Sequence, residues 1–381
     1  MNFELTEDQR MILESAREFA QQEVAPSAVD RDIKAEFPGE IVKKLGELGF
    51  LGMMVAPEYG GAGLDTISYV LAMIEISKVD ASVGVIMSVN NSLVCFGLEK
   101  YGSDFIKQNY LVPLAKGEKL GAFALSEPEA GSDATKQKTT ADKQGDFYVM
   151  NGMKNWITNG VSADYYLVMA TTNKELGHKG ISTLLVEKGA EGFTHGKKED
   201  KLGIRSSDTC SLAFENCKVP GKNIVWEEGK GFNFAMNTLN GGRIGIAAQA
   251  IGIAEASLEA AIKYSKERKA FGQTISNFQA IQFKISDMAM KVDTAKLLTF
   301  KAAALKDAGQ KYFKEAAMAK LYSSKIAVEC ALDAIQIHGG YGYVREYLVE
   351  RYLRDAKITE IYEGTSEIQR MVIARALLDE K

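Results

Sequence analysis

The chain has 381 residues, of which 46% are hydrophobic and 25% are charged, and its formal net charge at pH 7 is −4. This composition is typical of a globular protein with two or three domains. The acidic balance and the lack of long runs of Lys and Arg argue against nucleic acid as a partner. The sequence also lacks an uninterrupted apolar run of about 18 residues, which argues against a membrane span.

The cysteines and histidines are scattered and form no C-x-x-C or H-E-x-x-H spacing. We therefore predict reduced structural thiols, no metal site and no histidine-dependent catalytic triad. The residues concerned are Cys95, Cys210, Cys217, Cys330, His178, His195 and His338. Residues 1–5 lack the basic and apolar regions of a signal peptide, which predicts a cytoplasmic protein.

Residues 1–117 carry helical patterns, which begin with a capping-box spacing at Thr6 and Gln9. Apolar residues then recur at helical intervals, and Pro26 is expected to end this first helix. Further helices are predicted over residues 40–48, 66–78 and 82–101, with a loop at 57–63. The first domain is therefore predicted to be all-α.

Residues 118–228 change to β-rich runs separated by Gly, Asn, Asp and Lys. The dipeptide Asn151-Gly152 after the run 147–150 predicts a hairpin turn. Further strands are predicted over residues 165–170, 181–186 and 210–214. Because the strands do not alternate with helices, a dinucleotide-binding βαβ unit is not expected, and we predict a barrel-like or sandwich-like β domain.

Residues 229–381 are helical again and contain no proline, since the last of the six prolines is Pro220. Three apolar stripes begin near Ile244, Phe283 and Ala316, which predicts long helices in a four-helix bundle. The fold class is thus α+β and multidomain: an all-α domain, a β domain and a helical bundle. The crevice where these domains meet is the expected ligand site.

The segment around Glu363 is the strongest candidate for catalysis. It places one carboxylate on a small turn between an apolar run and a new helix. Burial of such a group raises its pKa toward neutrality, where it can accept a proton. The alternative is a plain helix N-terminus, with Thr365 or Ser366 as the cap and Glu367 in the first turn.

Two segments of the β domain are candidates for ligand binding. Small and hydroxyl residues at 123–133 would let backbone N–H groups approach a ligand, although this segment also fits a surface loop. Trp156 offers a flat apolar face for an aromatic cofactor, with the hydroxyl of Thr158 nearby. A core tryptophan at a strand end is the alternative.

Three segments of the bundle remain open to two interpretations. Asn240 to Arg243 are predicted to precede a helix that begins at Ile244. They form either a plain helix start or a site where Arg243 binds a polar or anionic group. Arg268 is either a ligand contact or a solvated charge at a helix end. The glycines of 339–342 form either a tight turn or a surface for phosphates or sugar.

Together these segments resemble the acyl-CoA dehydrogenase family over essentially the whole chain, and its short-chain members most closely. Seven motifs occur in family order: F-A-L-S-E-P-x-A-G-S-D, W-I-T-N, K-L-G-I-R, G-G-R-I-G-I-A, R-K-A-F-G, Q-I-H-G-G-Y-G and I-Y-E-G-T-S-E-I-Q-R. Each motif is modest alone, but their order makes a chance match implausible.

The resemblance implies an enzyme that binds FAD and an acyl-CoA thioester and forms the trans-2-enoyl-CoA. Glu363 would remove the pro-R α-proton while the β-hydrogen leaves as hydride to flavin N5. Electrons would then pass to an electron-transfer flavoprotein. Hydrogen bonds to the thioester oxygen, one of them from the backbone N–H of Glu363, would stabilise enolate charge. Some members place the base at the position of Gly242, and glycine cannot serve as one.

The resemblance also implies contacts for each ligand and a homotetramer built as a dimer of dimers. FAD contacts within one subunit would be Phe123, Leu125, Ser126, Ser132, Trp156, Thr158, Thr365 and Glu367. Residues of the cofactor site that reach the FAD of a neighbouring subunit would be Arg268, Gln279, Gln336, Gly339 and Gly340, with Phe271 as a further FAD contact. Substrate contacts would be Ser132, Asn240, Arg243 and Gly364.

The segment 85–93 resembles short-chain members and favours acyl chains of four to six carbons. Members that act on glutaryl-CoA carry an arginine in the segment matching 83–86, and none is present here. Three alternatives stay open: a dehydrogenase for a medium or branched acyl-CoA, an acyl-CoA oxidase on the same fold, and a non-catalytic helical scaffold.

Overall fold

The structure, a computed structural model, describes residues 4–378 as helices, then a sheet, then helices. The first three residues of the predicted first domain and the last three of the third lie outside this range. Residues 1–3 also belong to the segment 1–5 from which a cytoplasmic location is predicted, so that part of the segment is outside the range too. The predicted order of an all-α part, a β part and a helical bundle is confirmed.

From residue 4 onward, the N-terminal part contains eight α-helices: α1 (Glu7–Phe19), α2 (Ala25–Lys34), α3 (Gly39–Glu47), α4 (Thr66–Val79), α5 (Ala81–Ser88), α6 (Phe96–Tyr101), α7 (Asp104–Ile106) and α8 (Val112–Ala115). The capping box of Thr6 and Gln9 is confirmed by reciprocal side-chain to backbone hydrogen bonds. The prediction that Pro26 ends the first helix is wrong, because a π-helical turn (Ala20–Val24) connects α1 to α2. Pro26 lies in the first turn of α2, where its missing N–H is tolerated.

The middle part contains β1 (Gly121–Ala124), β2 (Thr140–Gln144), β3 (Phe147–Thr158), β4 (Tyr165–Thr171), β5 (Ile181–Glu187), β6 (Phe193–His195), β7 (Thr209–Pro220) and β8 (Ile224–Val225). The sheet runs in the order β6-β7-β3-β2-β4-β5-β8, with β1 parallel to β4. Within residues 4–378 this path does not close on itself. The β domain is therefore an open sheet and not a closed barrel.

The predicted hairpin turn at Asn151-Gly152 is wrong. Both residues lie inside β3, where the pairing with β7 shifts register between Met150 and Gly152. The Asn151 side chain accepts a hydrogen bond from the backbone N–H of Asn216 across this irregularity. Asn151 and Gly152, which favour turns, therefore lie in a β-bulge. The chain instead reverses direction between β2 and β3 at Gly145, whose φ is +61°.

The C-terminal part contains α9 (Gly231–Glu267), a small hairpin of β9 (Lys269–Ala270) and β10 (Gln273–Thr274), α10 (Gln279–Asp307), α11 (Phe313–His338), α12 (Val349–Thr359) and α13 (Ser366–Leu378). Helix α9 packs against α10 and α11 of the bundle and against α4 of the N-terminal part. One hydrophobic core therefore runs through both helical parts, and the sheet has a second core of its own.

Two helical segments, Ala81–Tyr101 and Gly231–Glu267, are long and apolar enough to cross a membrane by length and composition alone. Their most apolar windows are 94% and 78% buried inside the protein, respectively. Packing in the core accounts for this composition.

Helix α12 ties the C-terminal part to the N-terminal and middle parts of the chain. Arg354 pairs with Asp32 of α2 at 2.7 Å. Asp355 accepts a hydrogen bond from the backbone N–H of Ile204 at 2.6 Å, and Arg351 donates to the carbonyl of Val79. These ties matter for function because the turn that carries Glu363 follows α12 directly.

Candidate active site

Glu363 lies on a tight turn between α12 and α13. Its backbone is left-handed, with φ +51°, and Gly364 follows with φ +93°. The Thr365 hydroxyl accepts a hydrogen bond from the N–H of Ile368 at 3.3 Å, which confirms that Thr365 caps α13, and Glu367 lies in the first turn of that helix. A non-glycine residue with positive φ is a conformation that the surrounding structure must hold in place.

The carboxylate of Glu363 points into the protein. Its Oε2 atom is buried and has no hydrogen-bond partner among the described residues. Burial raises the pKa of Glu363 to about 7, and the nearby positive charges of Lys320 and Arg243 oppose that rise. The group is therefore poised to gain or lose a proton close to neutral pH.

Gly242 makes the space for this carboxylate. A Cβ atom at position 242 would lie 2.2 Å from Glu363 Oε2 and 2.7 Å from Leu93 Cδ2. The prediction that residues 240–243 precede a helix is wrong, since they lie inside the 37-residue helix α9. Glycine is a poor helix former, but here it permits close approach of another segment.

Arg243 and Asn240 are both buried beside this space. Arg243 Nη1 donates to Asn240 Oδ1, while Arg243 Nε is buried without a partner. Burial lowers the pKa of Arg243, and the charge of Glu363 opposes that effect. A buried donor that lacks an acceptor is available to a polar ligand atom.

Two side chains for which the sequence predicted no role, Gln369 inside the last motif and Lys320 outside all of the motifs, hold the turn in place. Gln369 Nε2 donates to the carbonyls of Glu363 at 3.3 Å and Gly364 at 2.8 Å. Lys320 Nζ also donates to the Gly364 carbonyl, at 2.7 Å. A lysine within the apolar stripe of residues 316–334 was the available signal for Lys320, because a charge on a buried helix face needs a partner.

A further polar group faces the site from α4 and α5. The hydroxyl of Tyr69 donates to Ser88 Oγ at 3.1 Å. Burial raises the pKa of Tyr69, and the negative charge of Glu363 adds to that rise. A Cβ atom at Gly245 would lie 2.6 Å from the Tyr69 hydroxyl oxygen, so a second glycine of α9 allows close packing here.

Trp156 is not a core residue. It is 62% exposed, and it lies where the pairing of β3 with β7 shifts register between Lys154 and Ile157. Its φ of +62° turns an apolar ring outward from the sheet. The neighbouring Asn155 donates its N–H to the carbonyl of Ser126 at 2.8 Å, which brings the segment 123–133 beside Trp156.

A buried ion pair supports that segment. Lys154 Nζ lies 2.8 Å from Glu127 Oε1 and 3.1 Å from the Leu125 carbonyl. Burial lowers the pKa of Lys154 to about 8, while Glu127 opposes that change. Burial also acts to raise the pKa of Glu127, but the charge of Lys154 and backbone hydrogen bonds hold it below its ordinary value.

The predicted ligand contacts of this segment differ in exposure. Phe123, Leu125 and Ser126 are partly buried, as is Thr158, whereas Ser132 is exposed. The ring of Phe123 stacks on Phe234 of α9, with ring centroids 6.4 Å apart. The segment therefore joins the β domain to the helix that carries Gly242.

The predicted cofactor contacts between residues 268 and 340 of the C-terminal part, here called the exposed group, are all exposed: Arg268, Phe271, Gln279, Gln336, Gly339 and Gly340. Phe271 and Gly272, with φ of +50° and +80°, make the two-residue loop of the β9–β10 hairpin. Phe271 is 96% exposed, and the Arg268 guanidinium lies 5.6 Å from the centre of the Tyr341 ring. Folding of one chain leaves this group uncovered.

Within residues 4–378, no three or more His, Cys, Asp or Glu side chains are grouped so that they could hold a metal ion. The four cysteines are free and buried. Burial raises the pKa of each of these thiols. They are packed as small apolar side chains.

Comparison with known proteins matches three family models along the chain. These are the acyl-CoA dehydrogenase N-terminal domain over residues 6–118, the middle domain over 122–217 and the C-terminal domain over 229–378. The short-chain specific acyl-CoA dehydrogenase of Clostridium acetobutylicum is 50% identical over 374 residues, which cover 98% of this chain and 99% of that protein.

Solved structures give the same result. Butyryl-CoA dehydrogenase from Megasphaera elsdenii is 47% identical with a TM-score of 0.98, over 99% of this chain and 100% of that one. A chain solved in work on the electron transferring flavoprotein of Acidaminococcus fermentans and flavin-based electron bifurcation is 51% identical. Its TM-score is 0.99, and all of both chains is covered.

Proposed function

Because this chain belongs to the acyl-CoA dehydrogenase family, we propose that it catalyses the FAD-dependent α,β-dehydrogenation of a short-chain acyl-CoA, with butyryl-CoA as the reference substrate. The product is the trans-2-enoyl-CoA. The observation that carries the proposal is the buried, unpartnered carboxylate of Glu363, whose pKa of about 7 suits a proton acceptor at neutral pH.

Glu363 acts in two ways in this proposal. Its carboxylate takes the α-proton of the thioester. Its backbone N–H, for which the described residues offer no acceptor, donates to the thioester oxygen and stabilises enolate charge. The buried Nε of Arg243 and the side chain of Asn240 contact polar atoms of the substrate, and Gly364 and Ser132 complete the predicted substrate contacts.

The residues on the β domain fit an aromatic cofactor. Trp156 presents an exposed apolar ring held outward by its backbone, and Thr158 supplies a hydroxyl beside it. Phe123, Leu125, Ser126 and Ser132 would line the same cofactor, and Thr365 and Glu367 would reach it from the start of α13. Bound FAD supplies the acceptor for the hydride that leaves the β-carbon.

The exposed group of Arg268, Phe271, Gln279, Gln336, Gly339 and Gly340 would complete the FAD site of a neighbouring subunit. An apolar stripe on α10 supports such an assembly. Phe283, Met290 and Leu297 recur every seven residues and are 62%, 63% and 54% exposed, respectively. Large exposed apolar side chains in register on one helix face are typical of subunit contacts. We propose the homotetramer, as a dimer of dimers.

The electron acceptor is proposed to be an electron-transfer flavoprotein, with support from the high similarity to the chain solved in work on the electron transferring flavoprotein of Acidaminococcus fermentans. Short-chain preference, for acyl groups of four to six carbons, is supported by the named relatives. The cytoplasmic location stays a prediction.

The proposal is tested by anaerobic titration of the purified holoprotein with butyryl-CoA, followed by its visible absorption spectrum. We expect a yellow flavin spectrum that bleaches on titration, and weaker bleaching by longer acyl-CoA. Bleaching only by a longer or branched acyl-CoA would correct the substrate. A protein that stays colourless after reconstitution with FAD would refute the proposal. Rapid reoxidation in air would instead identify an oxidase.

A further inference from the structure

We propose that Lys320 is a positioning residue for proton abstraction: its ammonium group fixes the turn that carries Glu363 and favours the ionised form of that carboxylate. This inference rests on the proposed function, because it concerns the base of that reaction. Lys320 is on α11, outside all of the motifs that carry the family resemblance.

The first observation is the complete burial of a lysine. Lys320 has no exposed surface, and its Nζ donates to the Gly364 carbonyl at 2.7 Å. In the part of the chain that the structure describes, no carboxylate lies within ion-pair distance of this Nζ. A buried cation held by one carbonyl is costly, and an apolar side chain would serve stability better.

The second observation is what the hydrogen bond restrains. Glu363 has a left-handed backbone, φ +51°, which costs about 1–3 kcal/mol for a non-glycine residue. The carbonyl of the next residue receives hydrogen bonds from both Lys320 and Gln369. These bonds hold the turn in the conformation that aims the Glu363 carboxylate at Gly242 of α9.

The third observation is electrostatic. Lys320 on α11, Arg243 on α9, Tyr69 on α4 and Tyr362 on the same turn are the titratable groups that face Glu363. Burial lowers the pKa of Lys320 to about 8, so the side chain is still mostly cationic at pH 7. After burial itself, its charge is the largest influence on the pKa of Glu363, followed by Arg243, and it acts to lower that pKa.

The experiment separates the charge of Lys320 from its hydrogen bond. Lys320→Met removes both and keeps an unbranched side chain, whereas Lys320→Gln, whose chain is as long as that of Met, removes the charge and keeps a donor. Lys325→Met, on an exposed lysine of the same helix, is the control. The pH dependence of kcat/KM for butyryl-CoA is measured for each variant. In the same proteins without substrate, the protonation of Glu363 is followed by its carboxyl infrared band. This band is assigned as the one that disappears in Glu363→Gln, and its intensity is measured against pH.

In both Lys320 variants we expect the infrared titration and the acidic limb of kcat/KM to move up by about one pH unit or more. At high pH, kcat should be lower than the wild-type value in Lys320→Met, which lacks a donor to the Gly364 carbonyl, and close to the wild-type value in Lys320→Gln, which keeps one. Lys325→Met should match the wild type. If Lys320→Met does not fold, Lys320→Gln decides the charge effect.

An unchanged Glu363 titration in the Lys320 variants would overturn the inference, and equal kcat at high pH in both variants would overturn the role of the hydrogen bond. A wild-type protein that dehydrogenates no acyl-CoA would refute the proposed function instead. The infrared titration would still decide the effect of Lys320 on Glu363.

Discussion

Gly242 and Glu363 share one space: a Cβ atom at position 242 would overlap the Glu363 carboxylate at 2.2 Å from Oε2. Gly242 lies inside α9 and Glu363 follows α12, so only the folded chain brings them together. Gly242 has no side chain that could act as a base. The space left by the missing side chain is occupied by the carboxylate of Glu363.

The substitution Gly242→Ala should therefore lower activity by about 100-fold, because it displaces the carboxylate from its site. The matched control is Gly241→Ala, where the nearest atom to the new Cβ would be the Ser92 carbonyl oxygen at 3.8 Å. That variant should keep its activity and gain up to about 1 kcal/mol of stability from helix propensity. Steady-state kinetics and urea unfolding measure both. Equal activity in the two variants would contradict this account of the site.

The substitution Glu363→Gln should keep the flavin and lower dehydrogenation by about 10²- to 10⁴-fold, because an amide cannot accept the α-proton. Flavin absorbance after gel filtration and the rate of flavin bleaching by butyryl-CoA measure the two properties. Glu360→Gln, three residues earlier and paired at the surface with Lys357, should behave like the wild type. Turnover at the wild-type rate in Glu363→Gln would reject Glu363 as the base.

The same Glu363→Gln variant should change how stability depends on pH. The pKa of Glu363 is about 7 in the folded protein against an ordinary value of 4.5, so between these values the folded state holds more protons than the unfolded state. Wild-type stability should fall as pH rises through this interval, by on the order of 1–3 kcal/mol, and the Glu363→Gln variant should lack that fall. Denaturant unfolding of the apoprotein between pH 4.5 and pH 8 measures the difference. A difference independent of pH would show that the carboxylate is not buried in solution.

The substitution Arg268→Ala should weaken FAD retention by about tenfold or more, because the exposed guanidinium is proposed to bind the cofactor of a neighbouring subunit. Lys266→Ala, on an exposed lysine two residues earlier, is the control. Flavin content after dialysis against a range of FAD concentrations gives the two affinities. Equal retention in both variants would remove Arg268 from the cofactor site.

Much of the candidate site could be predicted because it consists of short contiguous segments. The stretch 361–370 contains the base, the helix cap and the first turn of α13, so local patterns were sufficient there. The sequence left two interpretations of Trp156 open. The register shift in β3 excludes the core tryptophan, since it leaves this ring 62% exposed, and the cofactor contact stays a prediction.

The sequence by itself determined the order of helical and β parts, the carboxylate at Glu363 and the segments around it, since hydrophobic periodicity and turn residues act over a few neighbouring positions. The tertiary structure alone decided that residues 240–243 lie inside α9 and that Lys320 reaches the Gly364 carbonyl, 44 positions away. The burial that brings the pKa of Glu363 to about 7 also comes from distant helices. Burial and charge depend on which side chains meet in space, and sequence neighbours carry little of that information.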